Sequence, residues 1–200
     1  DELQFCDEEL VSEGAYIMDR RAQTIERLDH IAGPLHSDLS GADEQLRLVY
    51  QPSVELPDQA GADAVAECLE AALSRERDRE LAQGFTLFGP HRDDLRPMID
   101  GLDAYAYASR GQARTIVLSM KLAEAEHLKA RRGQEPVMLL DDVLSELDAR
   151  RRSFVFDRIT EFQQCFVTTA EVEAVPPSRL AAMRRYRVHD GTCLPVTAPA

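Results

Sequence analysis

Apolar residues recur at helical spacing near the start of the chain, where Leu10, Ile17, Ile25, Leu28 and Ile31 stand among charged positions. That spacing predicts a long amphipathic helix over residues 6–32. Gly33-Pro34 should end it, because proline brings no amide to the helix ladder and crowds the preceding turn. Leu46-Arg47-Leu48-Val49-Tyr50 is a short strand candidate, stopped by Pro52 and Pro57. A second amphipathic helix is predicted over 63–83. Its tail, Ser74-Arg75-Glu76-Arg77-Asp78-Arg79-Glu80, alternates in sign like a solvated face with internal ion pairs.

After Gly84 the pattern changes to short apolar runs between turns, at 85–88, 95–99, 104–108, 137–140, 165–168 and 185–189. Helical segments alternate with several of them, which favours an α/β layered sheet over a helical bundle. Residues 137–140 are apolar at every position, as expected of a strand covered on both faces. The main boundary is placed near Gly84, with a helical arm or lobe over 1–84 and an α/β nucleotide-binding head over 85–200.

An apolar fraction of 44% over 200 residues is that of a globular protein. No apolar run approaches the roughly 20 residues that span a bilayer, and Asp1-Glu2-Leu3 is not the basic leader of a signal peptide. A soluble, cytoplasmic protein is expected. The chain starts without methionine inside a predicted helix and reads as a piece of a longer polypeptide. Cys6, Cys68, Cys165 and Cys193 lack the close spacing of a zinc or redox motif and are expected to be reduced, mostly buried thiols. The net charge of −13 is uneven: residues 1–108 carry 9 basic and 24 acidic side chains, residues 109–200 carry 14 and 12. Phosphate contacts need clustered Lys or Arg, so any DNA surface must be local.

Three stretches carry chemistry. Ser109-Arg110-Gly111-Gln112 has the spacing of a capping box, in which Ser and Gln satisfy free amides at a helix start. A helix N-terminus with a glycine also presents amides and a positive dipole end to phosphate. The two readings are compatible. Val137 to Asp142 ends a strand in two adjacent carboxylates, which repel unless something compensates them. Magnesium is one candidate, with the first Asp holding the ion and the second orienting water; capping of the next helix is the other. Asp148 in Ser145-Glu146-Leu147-Asp148 could cap the helix that follows. Arg150, Arg151 and Arg152 fall in its first turn, where cations oppose the macrodipole. Glu146 or Asp148, a partner's acidic surface or a DNA phosphate could compensate them.

The order of the three stretches resembles the ATP-binding-cassette ATPases, in which a signature motif precedes the Walker B strand and a D-loop follows it. Within that superfamily, Gly89-Pro90-His91-Arg92-Asp93-Asp94-Leu95, Tyr107 to Thr115 and Leu139 to Asp148 are similar to the RecF family of bacterial recombination mediators. The resemblance implies that Ser109, Arg110, Gly111 and Gln112 form a signature acting in trans on ATP held by a second subunit. It also implies that Asp141 serves Mg2+, Asp142 polarises the attacking water, and Ser145 and Asp148 form the D-loop. It further implies an ATP-dependent homodimer that binds double-stranded DNA and gap junctions, and that helps load RecA with RecO and RecR in repair and replication restart.

Two departures stand out. Where many cassette ATPases carry a switch histidine, this chain has Phe166-Val167-Thr168-Thr169-Ala170, leaving Thr168 or Thr169 as candidate γ-phosphate sensors. The base candidate is Asp142 rather than a glutamate, which suggests slow hydrolysis. The phosphate loop Gly-x-x-x-x-Gly-Lys-Ser/Thr occurs nowhere in the 200 residues, so this chain alone is not expected to hydrolyse ATP. Competing readings are a head of the Rad50 or SMC type, disfavoured by too few heptads in 1–84, a metal-dependent nuclease using Asp141 and Asp142, and a non-catalytic interaction module. The coding sequence upstream of Asp1 is predicted to specify a strand followed by the phosphate loop, and reading it is the check. Its absence would leave a degenerate relative.

Overall fold

Helix α1 (Glu2–Ser40) does not stop at Gly33-Pro34 but continues for another turn and a half. Pro34 is exposed, so the carbonyl it leaves without a ladder partner lies on the solvent side. Beyond it Leu35, His36 and Leu39 are buried. Burial of two leucine side chains, at about 1.5–3 kcal/mol each, offsets the roughly 3 kcal/mol cost of an interior proline. Gly41, left-handed at φ 59°, closes the helix with its amide on the Ser37 carbonyl at 3.0 Å.

The computed structural model describes residues 2–41, 44–57, 61–144 and 147–196. It divides into two compact units, Asp1–His127 and Leu128–Ala200. In the first, α2 (Ala62–Gln83) packs Val65, Leu69, Ala72 and Leu73 against Ala15 and Met18 of α1 and against Val54. Gly14 allows this approach, because a Cβ there would lie 3.2 Å from Pro90 Cδ and 3.3 Å from Leu69 Cδ2.

Strands β1 (Leu46–Gln51), β2 (Asp94–Ile99) and β3 (Leu102–Asp103) form an antiparallel sheet in that order, with Leu46 opposite Ile99 and Leu48 opposite Pro97. Pro97 fits this register: the Leu48 amide points away, to Asp29 Oδ1 at 2.6 Å. The pair is a non-hydrogen-bonded one, in which neither residue owes its amide to the other. β2 lies after Gly84 and β1 before it, so the packing units divide after His127 and Gly84 falls inside the first, as the left-handed C-cap of α2.

Two predicted strands are absent. Residues 85–88 form a loop, held by Leu87 N donating to Glu80 Oε1 at 2.6 Å and by the Arg92 guanidinium 4.8 Å over the Phe85 ring. Residues 104–108 contain a single helical turn, α3 (Ala104–Tyr107), started by Asp103 accepting from Tyr105 N. A run that short carries no periodicity to separate turn from strand.

Helix α4 (Arg110–Arg132) runs from the first unit into the second. There β4 (Met138–Asp141) pairs in parallel with β5 (Cys165–Thr168), with α5 (Ala149–Ile159) as the crossover between them. Val155, Phe156 and Ile159 of α5, and Met138 and Leu140 of β4, are buried. The expectation that 137–140 is covered on both faces is not met: Leu139 is 72% exposed and its register partner Phe166 53%. One face of the pair is packed and the other, apolar, is open.

A 3-10 turn (Val172–Ala174), α6 (Pro177–Leu180) and a hairpin of β6 (Tyr186–His189) and β7 (Thr192–Pro195) complete the unit. Asp190 and Gly191, both at positive φ, make the primed two-residue turn this hairpin needs. All four cysteines are free, but none is fully buried: Cys6 and Cys193 are exposed, Cys68 and Cys165 intermediate. Among the described residues no helix is long and apolar enough to cross a membrane.

Replacing exposed Pro34 by Ala is predicted to stabilise the chain by about 1–3 kcal/mol in chemical denaturation. A loss of stability instead would show that packing of Leu35 and Leu39 depends on the proline.

Candidate functional site

The start of α4 is a complete capping box. Ser109 Oγ accepts from Gln112 N at 3.2 Å, and Gln112 Oε1 accepts from Ser109 N at 2.9 Å. Ser109, Arg110 and Gly111 are exposed and Gln112 half-buried, while Thr115, Ile116, Leu118 and Ser119 further along are buried. The helix is therefore anchored by its second turn and presents its first turn to solvent. Gly111 is not required by this chain: it has no left-handed φ, and a Cβ there would meet nothing within 4 Å. The free amide of Gln112 reaches Glu44, with Nε2 donating to Oε1 at 3.0 Å, and Glu44 Oε2 lies 3.2 Å from Nε2 of fully buried His36. Sequence reasoning passes over Glu44 and His36, because the contact joins positions far apart and no local spacing announces it.

The end of β4 brings Asp141, Asp142 and Thr168 together. Thr168 Oγ1 donates to Asp141 Oδ1 at 2.5 Å and accepts from Asp142 N at 3.0 Å. Asp142 has φ 49°, a left-handed conformation that Asp tolerates better than most residues. Asp141, Asp142 and Thr168 are all exposed. Thr169 is turned to its own loop, its hydroxyl accepting from Glu171 N at 3.1 Å. Among the described residues no cluster of three or more His, Cys, Asp or Glu side chains is set to hold a metal.

Asp148 is the N-cap of α5. Its carboxylate accepts from Arg151 N at 2.9 Å, and this bond, ahead of the nearby Arg charges, lowers its pKa. Arg151 lies 3.5 Å from the same carboxylate, and Arg152 Nε donates to the Leu147 carbonyl at 2.6 Å. Arg151 and Arg152 thus meet acceptors within their own turn, and exposed Arg150 also acts on Asp148 through its amide and its charge. Ser145 lies outside the described residues.

The block Gly89 to Leu95 closes a buried polar junction. Asp93, its side chain 1% exposed, accepts from Tyr50 OH and from Ser53 N at 2.8 Å, with Arg21 at 3.9 Å. Burial, then the hydrogen bond to Asp93, raises the Tyr50 pKa and keeps it a phenol. Ser53 Oγ donates to Gly89 O at 3.1 Å and accepts from Gly89 N at 2.9 Å. The block joins the end of β1 to the start of β2.

A capped, exposed helix start, and a parallel strand ending in paired carboxylates with a threonine on the neighbouring strand, belong to an α/β fold of the ATP-binding-cassette type. Comparison with known proteins makes this particular. No protein-family model matches the chain. Proteins described as DNA replication and repair protein RecF match nearly all of it. Those of Chloroflexus aurantiacus and Roseiflexus castenholzii are 43% and 44% identical over 191 and 197 residues, which is 95% and 98% of this chain and 49% and 50% of theirs. A solved structure of the recombination mediator protein RecF in the RecFOR pathway, described as RecF-ATP, superposes with a TM-score of 0.82 at 30% identity. It covers 98% of this chain and 51% of that one. The chain belongs to the RecF family and corresponds to the C-terminal half of its members, spanning about half the length of the relatives it matches.

Asp148→Ala is predicted to cost about 1 kcal/mol of stability through loss of the cap, whereas Asp148→Asn, also a good cap, costs little. Because the folded pKa of Asp148 is depressed, its contribution is present above the unfolded carboxylate range and fades as pH falls through the folded pKa. Urea melts of the three proteins at neutral and acid pH test this; equal losses in the Ala and Asn variants at neutral pH would count against capping.

Proposed function

We propose that the full-length protein is an ATP-dependent recombination mediator: it dimerises on binding ATP, binds DNA at gap junctions, and helps RecA load there together with RecO and RecR. The observation that carries this reading is the open first turn of α4. Gly costs about 0.5–1 kcal/mol relative to Ala inside a helix, and at Gly111 the chain's own packing has no use for the missing side chain. Close approach by a group from outside the chain explains it, and exposed amides at a positive helix end suit a phosphate. Ser109 and Gln112 would then contact the γ-phosphate of ATP held by a second subunit, with Arg110 beside them.

Asp141 and Thr168 offer hard oxygen donors of the kind magnesium takes, the ion usually completing its shell with water and phosphate oxygens. Bound there, Mg2+ would neutralise phosphate charge. Asp142 carries the carboxylate that would accept a hydrogen bond from the attacking water, Thr168 would sense the γ-phosphate through its bond to Asp141, and Asp148 would face the second subunit. The open Leu139 and Phe166 face is where the remainder of the full-length head would complete the sheet. Arg150, with Arg151 and Arg152 behind it, is the proposed contact to DNA phosphate or to the partner.

In the full-length protein, Gly111→Ala is predicted to melt at the same temperature or higher, yet to weaken ATP-dependent dimerisation about tenfold or more, since a methyl forced into a packed contact costs about 1–3 kcal/mol. Asp142→Asn, which Asn's tolerance of positive φ should allow to fold, is predicted to bind ATP, hydrolyse it more slowly and accumulate dimers. Analytical ultracentrifugation with and without ATP reads both; unchanged dimerisation in Gly111→Ala, or a monomeric Asp142→Asn with ATP, would overturn the reading.

A further inference from the structure

We propose that Glu44 is a positioning residue for the α4 start and that buried His36 holds it in place; the proposal rests on the signature reading above. Both ends of the Gln112 side-chain amide have a partner within the chain, the oxygen on Ser109 N and the nitrogen on Glu44 Oε1 at 3.0 Å, which leaves its second N–H for a group arriving from outside. That fixes which way the amide faces and, through the capping box, where the Ser109 hydroxyl sits. The Glu44 carboxylate is held from its other oxygen by His36 Nε2 at 3.2 Å, on a ring that is 0% exposed.

The proton count is set by Ser119. Its hydroxyl hydrogen goes to the Thr115 carbonyl at 2.7 Å, so towards His36 Nδ1, 3.3 Å away, Ser119 Oγ can only accept and Nδ1 must donate. A second proton then lies between Nε2 and Glu44 Oε2, since two acceptors would otherwise face each other. Both ends of this chain of bonds are on α4: Gln112 in its first turn, and Ser119 two turns on, with His36 of α1 and Glu44 between them. The chain thereby ties the orientation of the exposed turn to the buried face of the same helix. A polar network of this kind fixes one geometry only if every member is satisfied, and here each member named has its partner.

Glu44→Ala in the full-length protein is expected to leave ATP binding by the monomer unchanged and to weaken ATP-dependent dimerisation about tenfold, the scale of one hydrogen bond to a charged group. Glu44→Gln, whose amide oxygen can still accept from Gln112, is expected to recover most of the loss. The deciding readout is a double-mutant cycle: if Glu44 acts through Gln112, Glu44→Ala adds nothing in a Gln112→Ala background. Additive losses, or a Glu44→Gln variant as weak as Glu44→Ala, would overturn the proposal. If Glu44→Ala does not fold, Glu44→Asp serves, drawing the carboxylate back by one methylene; it is expected to lose part of the dimer affinity, and an Asp variant equal to wild type would also overturn it. Gln112→Ala alone separates this from the parent reading: if that variant dimerises like wild type, the signature assignment fails, whatever Glu44 does.

Discussion

A helix that begins at the surface has free amides and a positive end, and must satisfy or use them. At α4 the chain satisfies two of them. Ser109 and Gln112 close a capping box, and the amide of Gln112 is in turn anchored on Glu44 and His36. The first turn is therefore held by side-chain bonds without being covered. An uncovered helix start with a glycine that no internal contact explains is suited to a charged group arriving from outside. The three antiparallel strands, the stacked α1 and α2 and the Gly89 to Leu95 junction belong to the unit that carries this turn.

The second unit follows the same logic with opposite sign. Two carboxylates at a strand end would repel, yet Asp141 receives the Thr168 hydroxyl and Asp142 turns away through a left-handed backbone, its amide also bonded to Thr168. Both aspartates are exposed. The open Leu139 and Phe166 face fits a chain that spans about half the length of its relatives.

Much of this was legible in the sequence where a single element decides the outcome. Periodicity places α2, and Gly84 ends it; β1, β2, β4, β5 and β6 fall within a residue or so of their predicted positions; the Ser109 to Gln112 capping box follows from local order. Misreadings arise where tertiary burial overrides a local rule. Pro34 should have broken α1, but Leu35, His36 and Leu39 are buried beyond it. Residues 85–88 and 104–108 are too short for apolar content to distinguish loop, turn and strand. The all-apolar run at 137–140 suggested two covered faces when only one is packed. Glu44 and His36 could not be found this way, because their meaning lies in contacts with Gln112 and Ser119, far along the chain.

The central claim is that the α4 start completes a neighbour's nucleotide site. A mixing experiment with the full-length protein tests it most directly: one chain carries Ser109→Ala, the other a substitution of its phosphate-loop lysine, and each alone is inactive. Mixing is expected to restore ATP hydrolysis, because a mixed dimer contains one site with both halves intact. Mixtures that form dimers yet stay as inactive as either parent would contradict it, and would return Ser109, Gly111 and Gln112 to the capping of their own helix.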